Sequence, residues 1–354
     1  MLRALMTRSG LTAQLGKLWK PDVEDLLKPV RKEVRALQRA VERLETTLAE
    51  TSQGAQRAER LAAQVKLTAV LNQAQHAAVA RLSERLDAPR IGAHVRAAIA
   101  GAPLIEEPFE HLVVESLLPA DVYELLIEAI PPEPFFDAHD PIKRNLRFPM
   151  EFGPALSAAV WAFFDDVVTR QVIRPAVVDR FQMPLQRHYD AIFGRAFRER
   201  AEGLAQSVSG GRLMLRRAGY HLDPHRDPKR SMLTCLFYLA RPGDSDAYGT
   251  QLFSVADDSD ASYKQTYYPE QEGRRCELAK LVPFRANSML VFVNSRGAHG
   301  ATIPPDAPAS LERYSYQFYV APDKAQLGEL IRQLPEPLRG MWQSKGDRDG
   351  AGME

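Results

Sequence analysis

A chain of 354 residues with 45% hydrophobic and 26% charged residues has the composition of an ordinary globular protein. Its formal net charge of +1 removes the electrostatic case for nucleic acid or an anionic membrane as the main partner. No apolar run approaches membrane-spanning length, and the cysteines, Cys235 and Cys276, define no disulfide framework, so a reducing cytoplasm is the expected setting.

Residues 1–21 carry Arg3, Arg8, Lys17 and Lys20, and Arg3 interrupts an apolar start too short for a secretory signal. A poorly ordered N-terminal segment is expected there. Residues 22–90 are then expected to form a helical, coiled-coil region. Its seam is Val23, Leu27, Val30, Val34, Leu37, Val41, Leu44 and Leu48, in which gaps of four and three alternate. Val at a and Leu at d positions favour a homo-oligomer, most simply a dimer, through residues 23–48, and the alternative is an amphipathic helix folded back on its own domain. Residues 51–54 break the seam, and residues 55–88 return to helix-forming composition.

The main domain is expected over residues 91–325. Its opening is a short strand at 109–114, a helix from Leu118 to Ile130 and a loop-rich passage from Pro131 to Pro149. Leu156, Val160, Trp161, Phe164, Val168 and Val172 repeat at helical spacing and predict a helix over 154–181 that packs on a sheet. A more polar helix is expected over 183–206. Short β-rich runs follow at 212–216, 232–239, 251–255, 279–284, 288–294 and 314–320. A polar insert with Asp257, Asp258 and Asp260 reads as a solvated loop. Residues 326–354 complete the chain as a C-terminal helix and polar tail.

The chemistry concentrates in Gly219 to Asp227, where His221-x-Asp223 and His225-x-Asp227 stand side by side. Residues two apart on a strand share a face, so either pair offers an imidazole and a carboxylate to one site. With a second His from another strand, such a pair makes the facial set that holds Fe(II) and leaves positions open. His299, after the apolar run Ser288 to Asn294, is the distal candidate. Arg313 opens the last β-rich run with a planar fork suited to a carboxylate. Spacing alone does not choose between the two His-x-Asp pairs.

The order Leu222-x-Pro224-His225-x-Asp227, Leu233 to Leu239, Gly249-Thr250-Gln251-Leu252-Phe253, His299 and Arg313 resembles the iron- and 2-oxoglutarate-dependent dioxygenases, in their prolyl-4-hydroxylase-like branch. The resemblance spans residues 105–322, with its motifs from Arg212 onward. It implies an α+β chain whose strands form a double-stranded β-helix, or jelly-roll, with flanking helices. It also implies that His225, Asp227 and His299 bind Fe(II) and that Arg313 pairs with the distal carboxylate of 2-oxoglutarate. Tyr220 and Thr250 would touch this cosubstrate, while His221 and Asn294 would be substrate contacts. Hydroxylation of a substrate carbon by O2, with release of succinate and CO2, is the implied outcome. The expected substrate is a small molecule, a glycan-type acceptor or a protein side chain. The rival readings are a cupin-like metal barrel without 2-oxoglutarate and a non-catalytic ligand-binding module linked to a coiled coil.

Overall fold

The computed structural model describes residues 38, 39, 42, 54–137, 140–148, 150, 153–258 and 265–342. The chain falls into Met1–Ala63 and Gln64–Glu354, and every element named below belongs to the second unit. The seam residues Val23 to Leu48 lie outside the described residues, as do residues 1–21 and the polar tail from 343 onward. No described helix is long and apolar enough to cross a membrane.

The strands are β1 (His111–Val114), β2 (Lys143–Arg147), β3 (Gln206–Arg216), β4 (His221–His225), β5 (Leu233–Tyr238), β6 (Thr250–Val255), β7 (Cys276–Val282), β8 (Ser288–Val293), β9 (Ala298–Thr302) and β10 (Arg313–Pro322). They form two antiparallel sheets, ordered β1-β8-β5-β10-β3-β2 and β4-β9-β6-β7. From β3 onward the chain crosses repeatedly from one sheet to the other, so neighbours in space are distant in sequence. That winding is the double Greek key of a jelly roll.

Alternation on the six-stranded sheet gives it two apolar faces. Leu213, Leu215, Cys235, Phe237, Val291, Tyr316 and Phe318 share one core cluster with the helices. Met214, Leu236, Tyr238, Leu290 and Phe292 turn the other way and meet Leu252, Val282 and Phe284 of the barrel interior. β5 and β8 are consequently buried along their whole length. Cys235 is one of these core residues, a free thiol whose pKa burial pushes up.

The helical layer includes α1 (Ala88–Gly101), α2 (Ala120–Glu128), α3 (Ala155–Phe163), α4 (Arg174–Arg180), α5 (Gln182–Phe193) and α6 (Lys324–Gln333). Asp87 caps α1 by accepting a hydrogen bond from the Arg90 backbone amide at 3.0 Å, and proline occupies the first turn. The helix expected over 154–181 is not uniform. Phe164–Ile173, between α3 and α4, is a π-helix. Its wider turn accompanies an Asp165 carboxylate that accepts from Tyr316 and from Arg170 at 2.8 Å. Phe164 stacks on Phe237 at 5.5 Å, which fixes this helix on the sheet.

Three sequence expectations change. The passage 131–149 contains the edge strand β2, paired with β3, where a loop was expected. The helix expected over 183–206 ends at Phe193, and β3 already begins at Gln206. His299 lies within β9, a strand that is not among the expected β-rich runs.

Candidate metal centre

β4 and β9 bring His225 directly opposite His299 in the smaller sheet. Asp227 follows β4 by two residues. The ligand atoms of His225, Asp227 and His299 all lie within 4.8 Å of one another, and all three residues are buried. The His225 and His299 rings are 4.1 Å apart, and Phe292 packs 4.7 Å from the His299 ring.

Each side chain is held in a fixed orientation. The His225 Nδ1–H donates to the Asp223 carbonyl at 2.9 Å, which leaves the Nε2 lone pair facing the cluster. Thr234 donates to Asp227 Oδ2 at 2.7 Å, and Tyr319 donates to Oδ1 at 3.1 Å. Burial, aided by the neighbouring His225, pushes His299 down to about 3 against the favourable charge of Asp227. His299 is therefore neutral at physiological pH. Two imidazoles with a carboxylate suit a divalent first-row metal with open positions.

Arg226, between His225 and Asp227 in sequence, points the opposite way and ties the turn ahead of His299. It donates to Asp258 at 2.6 Å and to the Gly297 carbonyl at 3.1 Å, and Asp258 also accepts from the Gly297 amide at 2.6 Å. Gly297 has φ of 67°, and a Cβ there would come within 2.1 Å of the Phe109 ring. Asp258, expected on a solvated loop, is thus an anchor of the centre. Nothing in its sequence neighbourhood identified it.

The triad opens into a cavity of about 700 Å³ lined also by Tyr220, Thr250 and Arg313. Arg313 is buried, its Nε donates to the Tyr248 carbonyl at 2.5 Å, and its guanidinium lies 4.6 Å from the Phe284 ring centre. Burial pulls its pKa down, and among the described residues it forms no ion pair. Thr250 accepts a hydrogen bond from Tyr238 at 2.7 Å. Tyr220 lies under the Arg216 guanidinium at 5.0 Å.

Two expected substrate contacts lie elsewhere. His221 is exposed and pairs with Asp223 at 2.9 Å and with Thr302 at 3.0 Å, away from the cavity lining. The cause is a register shift between Leu222 and His225, which turns the two His-x-Asp pairs to opposite sides. Asn294 is buried behind the triad, where it donates to Thr234 at 2.8 Å and to the Ser231 carbonyl. It supports the residue that orients Asp227. Tyr319, Thr234, Arg212 and Arg216 were missed, because only the assembled sheet aims these strand residues towards the centre and its cavity.

No protein-family model matches the chain, and no curated protein does. Among solved structures it is similar to a Pseudomonas putida prolyl-4-hydroxylase at 17% identity. That match covers 66% of this chain and 100% of the other, with a TM-score of 0.33. A Burkholderia pseudomallei oxidoreductase of the 2-oxoglutarate–Fe(II) oxygenase family matches at 10% identity over 65% of this chain and 89% of the other, with a TM-score of 0.36. HygX from Streptomyces hygroscopicus, a structure with nickel and 2-oxoglutarate bound, matches at 14% identity over 60% and 83%, with a TM-score of 0.33. The solved structures to which this chain is similar thus include 2-oxoglutarate–Fe(II) oxygenases, prolyl-4-hydroxylases among them.

Proposed function

We propose that the protein is an Fe(II)- and 2-oxoglutarate-dependent oxygenase that hydroxylates a carbon of its substrate. One observation carries this reading: a buried His225–Asp227–His299 cluster shares its cavity with Arg313, a buried cation that has no carboxylate partner among the described residues. The donor set fits ferrous iron, and the buried guanidinium fits the distal carboxylate of 2-oxoglutarate. When bound, iron and 2-oxoglutarate supply O2 activation, so that C–H, O2 and 2-oxoglutarate become C–OH, succinate and CO2.

The protein's own residues supply position and charge. His225, Asp227 and His299 would hold the metal, with Thr234 and Tyr319 fixing the carboxylate between them. Arg313 would bind the cosubstrate's far end, with Thr250 and Tyr220 alongside. Burial of the triad keeps bulk water from the reacting atoms. The free cysteines and a ferrous site suit a reducing compartment, and the seam at 23–48 supports a homodimer, which light scattering of the full chain tests.

Anaerobic addition of 2-oxoglutarate to the Fe(II)-loaded protein tests the reading through the visible metal-to-ligand charge-transfer band. Wild type should show the band, His225→Ala should lose it, and Arg313→Ala should need far more 2-oxoglutarate to reach it. An iron-loaded wild type without the band would leave a metal barrel of another chemistry.

A further inference from the structure

The cavity lining is far more basic than the chain. Among the described residues it carries seven arginine and lysine side chains and a single carboxylate, that of Asp227, although the chain's net charge is only +1. These cations stand in register. Lys143, Arg216 and Arg313 form one cross-strand row on β2, β3 and β10, and Arg147, Arg212 and Gln317 form a second. Like charges directly opposite on a sheet repel, so each row is a local cost that an anion would relieve.

The rows sit at different depths. Arg313 is in the first, and in the proposed function that row meets the distal carboxylate of 2-oxoglutarate. The second lies four residues along β3, roughly 13 Å away at the rise of a strand. A five-carbon diacid is too short to satisfy both. Arg212 stands at the metal end, beside Tyr319, whose hydroxyl donates to Asp227. One Arg212 group donates to Gln317, whereas its buried Nε has no hydrogen-bond partner among the described residues. Arg147 and Arg230 are exposed at the same mouth, and neither forms an ion pair among the described residues.

Resting on the oxygenase reading for the metal, we infer that the substrate is a small molecule bearing an oxyanion, a phosphate or a carboxylate, which Arg147, Arg212 and Arg230 grip beside the metal centre. The anion anchors one end and sets a nearby carbon over His225, Asp227 and His299. A neutral sugar or an uncharged peptide side chain leaves the second row unanswered.

The test uses the full chain loaded anaerobically with Fe(II) and 2-oxoglutarate, so that the Arg313 row is already occupied. Inorganic phosphate should raise the melting temperature above that in sodium chloride of equal ionic strength. Arg212→Gln should abolish this difference, and Arg147→Gln, at an exposed position with little risk to folding, should reduce it. Arg275→Gln, which removes an exposed cation paired with Glu277 on β7, should retain it. Succinate formation is then measured with sugar phosphates, sugar carboxylates and their uncharged parents. One anionic group should stimulate turnover and its parents should not, which also distinguishes phosphate from carboxylate. Arg212→Gln should raise KM roughly tenfold, the worth of one charge-assisted hydrogen bond, with a smaller effect on kcat. Equal melting in phosphate and chloride, or equal stimulation by the uncharged parents, would overturn the inference. Should the charge-transfer band be absent while phosphate stabilisation through Arg212 persists, the oxygenase reading falls and the anion site stands.

Discussion

Arg216 and Arg313 lie directly opposite each other on β3 and β10, and both are buried. Arg216 spends its donors on the Arg144 carbonyl at 2.7 Å and Asn145 at 3.0 Å, while Arg313 uses the Tyr248 carbonyl. Carbonyl dipoles solvate the pair, but among the described residues no carboxylate neutralises it. Burial lowers the pKa of both guanidiniums, as expected for cations removed from water.

Arg313→Met should therefore separate stability from binding. Removing a buried, unneutralised cation is expected to stabilise the ligand-free protein by about 1 kcal/mol, read as a higher midpoint in urea. The same variant should weaken 2-oxoglutarate binding to the Fe(II)-loaded protein by about a hundredfold, as measured by anaerobic titration. A variant that binds 2-oxoglutarate normally would remove Arg313 from the site.

The Asn294–Thr234–Asp227 chain predicts a long-range effect on metal affinity. Thr234→Val keeps the shape of a fully buried residue and deletes its 2.7 Å hydrogen bond to the carboxylate. Metal affinity, followed by calorimetry with Mn(II) as a redox-inert probe, should fall about ten- to a hundredfold. The far-ultraviolet circular dichroism should stay that of wild type.

Asp258 should matter for stability as well as for the centre. Asp258→Ala removes the carboxylate that bridges Arg226 and the Gly297 amide. The cost is expected at about 3 kcal/mol in chemical unfolding, the scale for breaking a buried ion pair. Metal affinity should drop with it, because the turn ahead of His299 loosens. A stability change below 1 kcal/mol would mean that Arg226 is held by its other contacts alone.

Acid sensitivity should trace to His188 on α5. Its ring is buried without a hydrogen-bond partner among the described residues, and burial next to Lys229 and Arg226 pushes it down to about 3. A depressed histidine pKa contributes stability that is fully present above about 6.5 and is lost as pH falls towards the folded value. At pH 5 the loss is about 2 kcal/mol relative to pH 7. His188→Phe should flatten the dependence of melting temperature on pH over that range, and an unchanged profile would assign the acid loss elsewhere.

The order His225-x-Asp227, His299, Arg313 was readable in the chain because ligand chemistry restricts residue types, and apolar runs such as Leu233 to Tyr238 fixed the strands that carry them. Spacing left open which His-x-Asp pair faces the cavity, and only the family resemblance favoured His225 and Asp227. His221 and His225 have the same parity, and the register shift after Leu222, a tertiary pairing with β9, turns them apart. Asp258 and Tyr319 come to the centre, and Asn294 goes behind it, only through contacts between strands far apart in the sequence. The overall charge of +1 concealed a basic cavity, since net charge averages over the surface whereas cross-strand register stacks Arg147 against Arg212 and Lys143 against Arg216. Residue type and local period set the candidates; pairing between distant strands decided which of them meet.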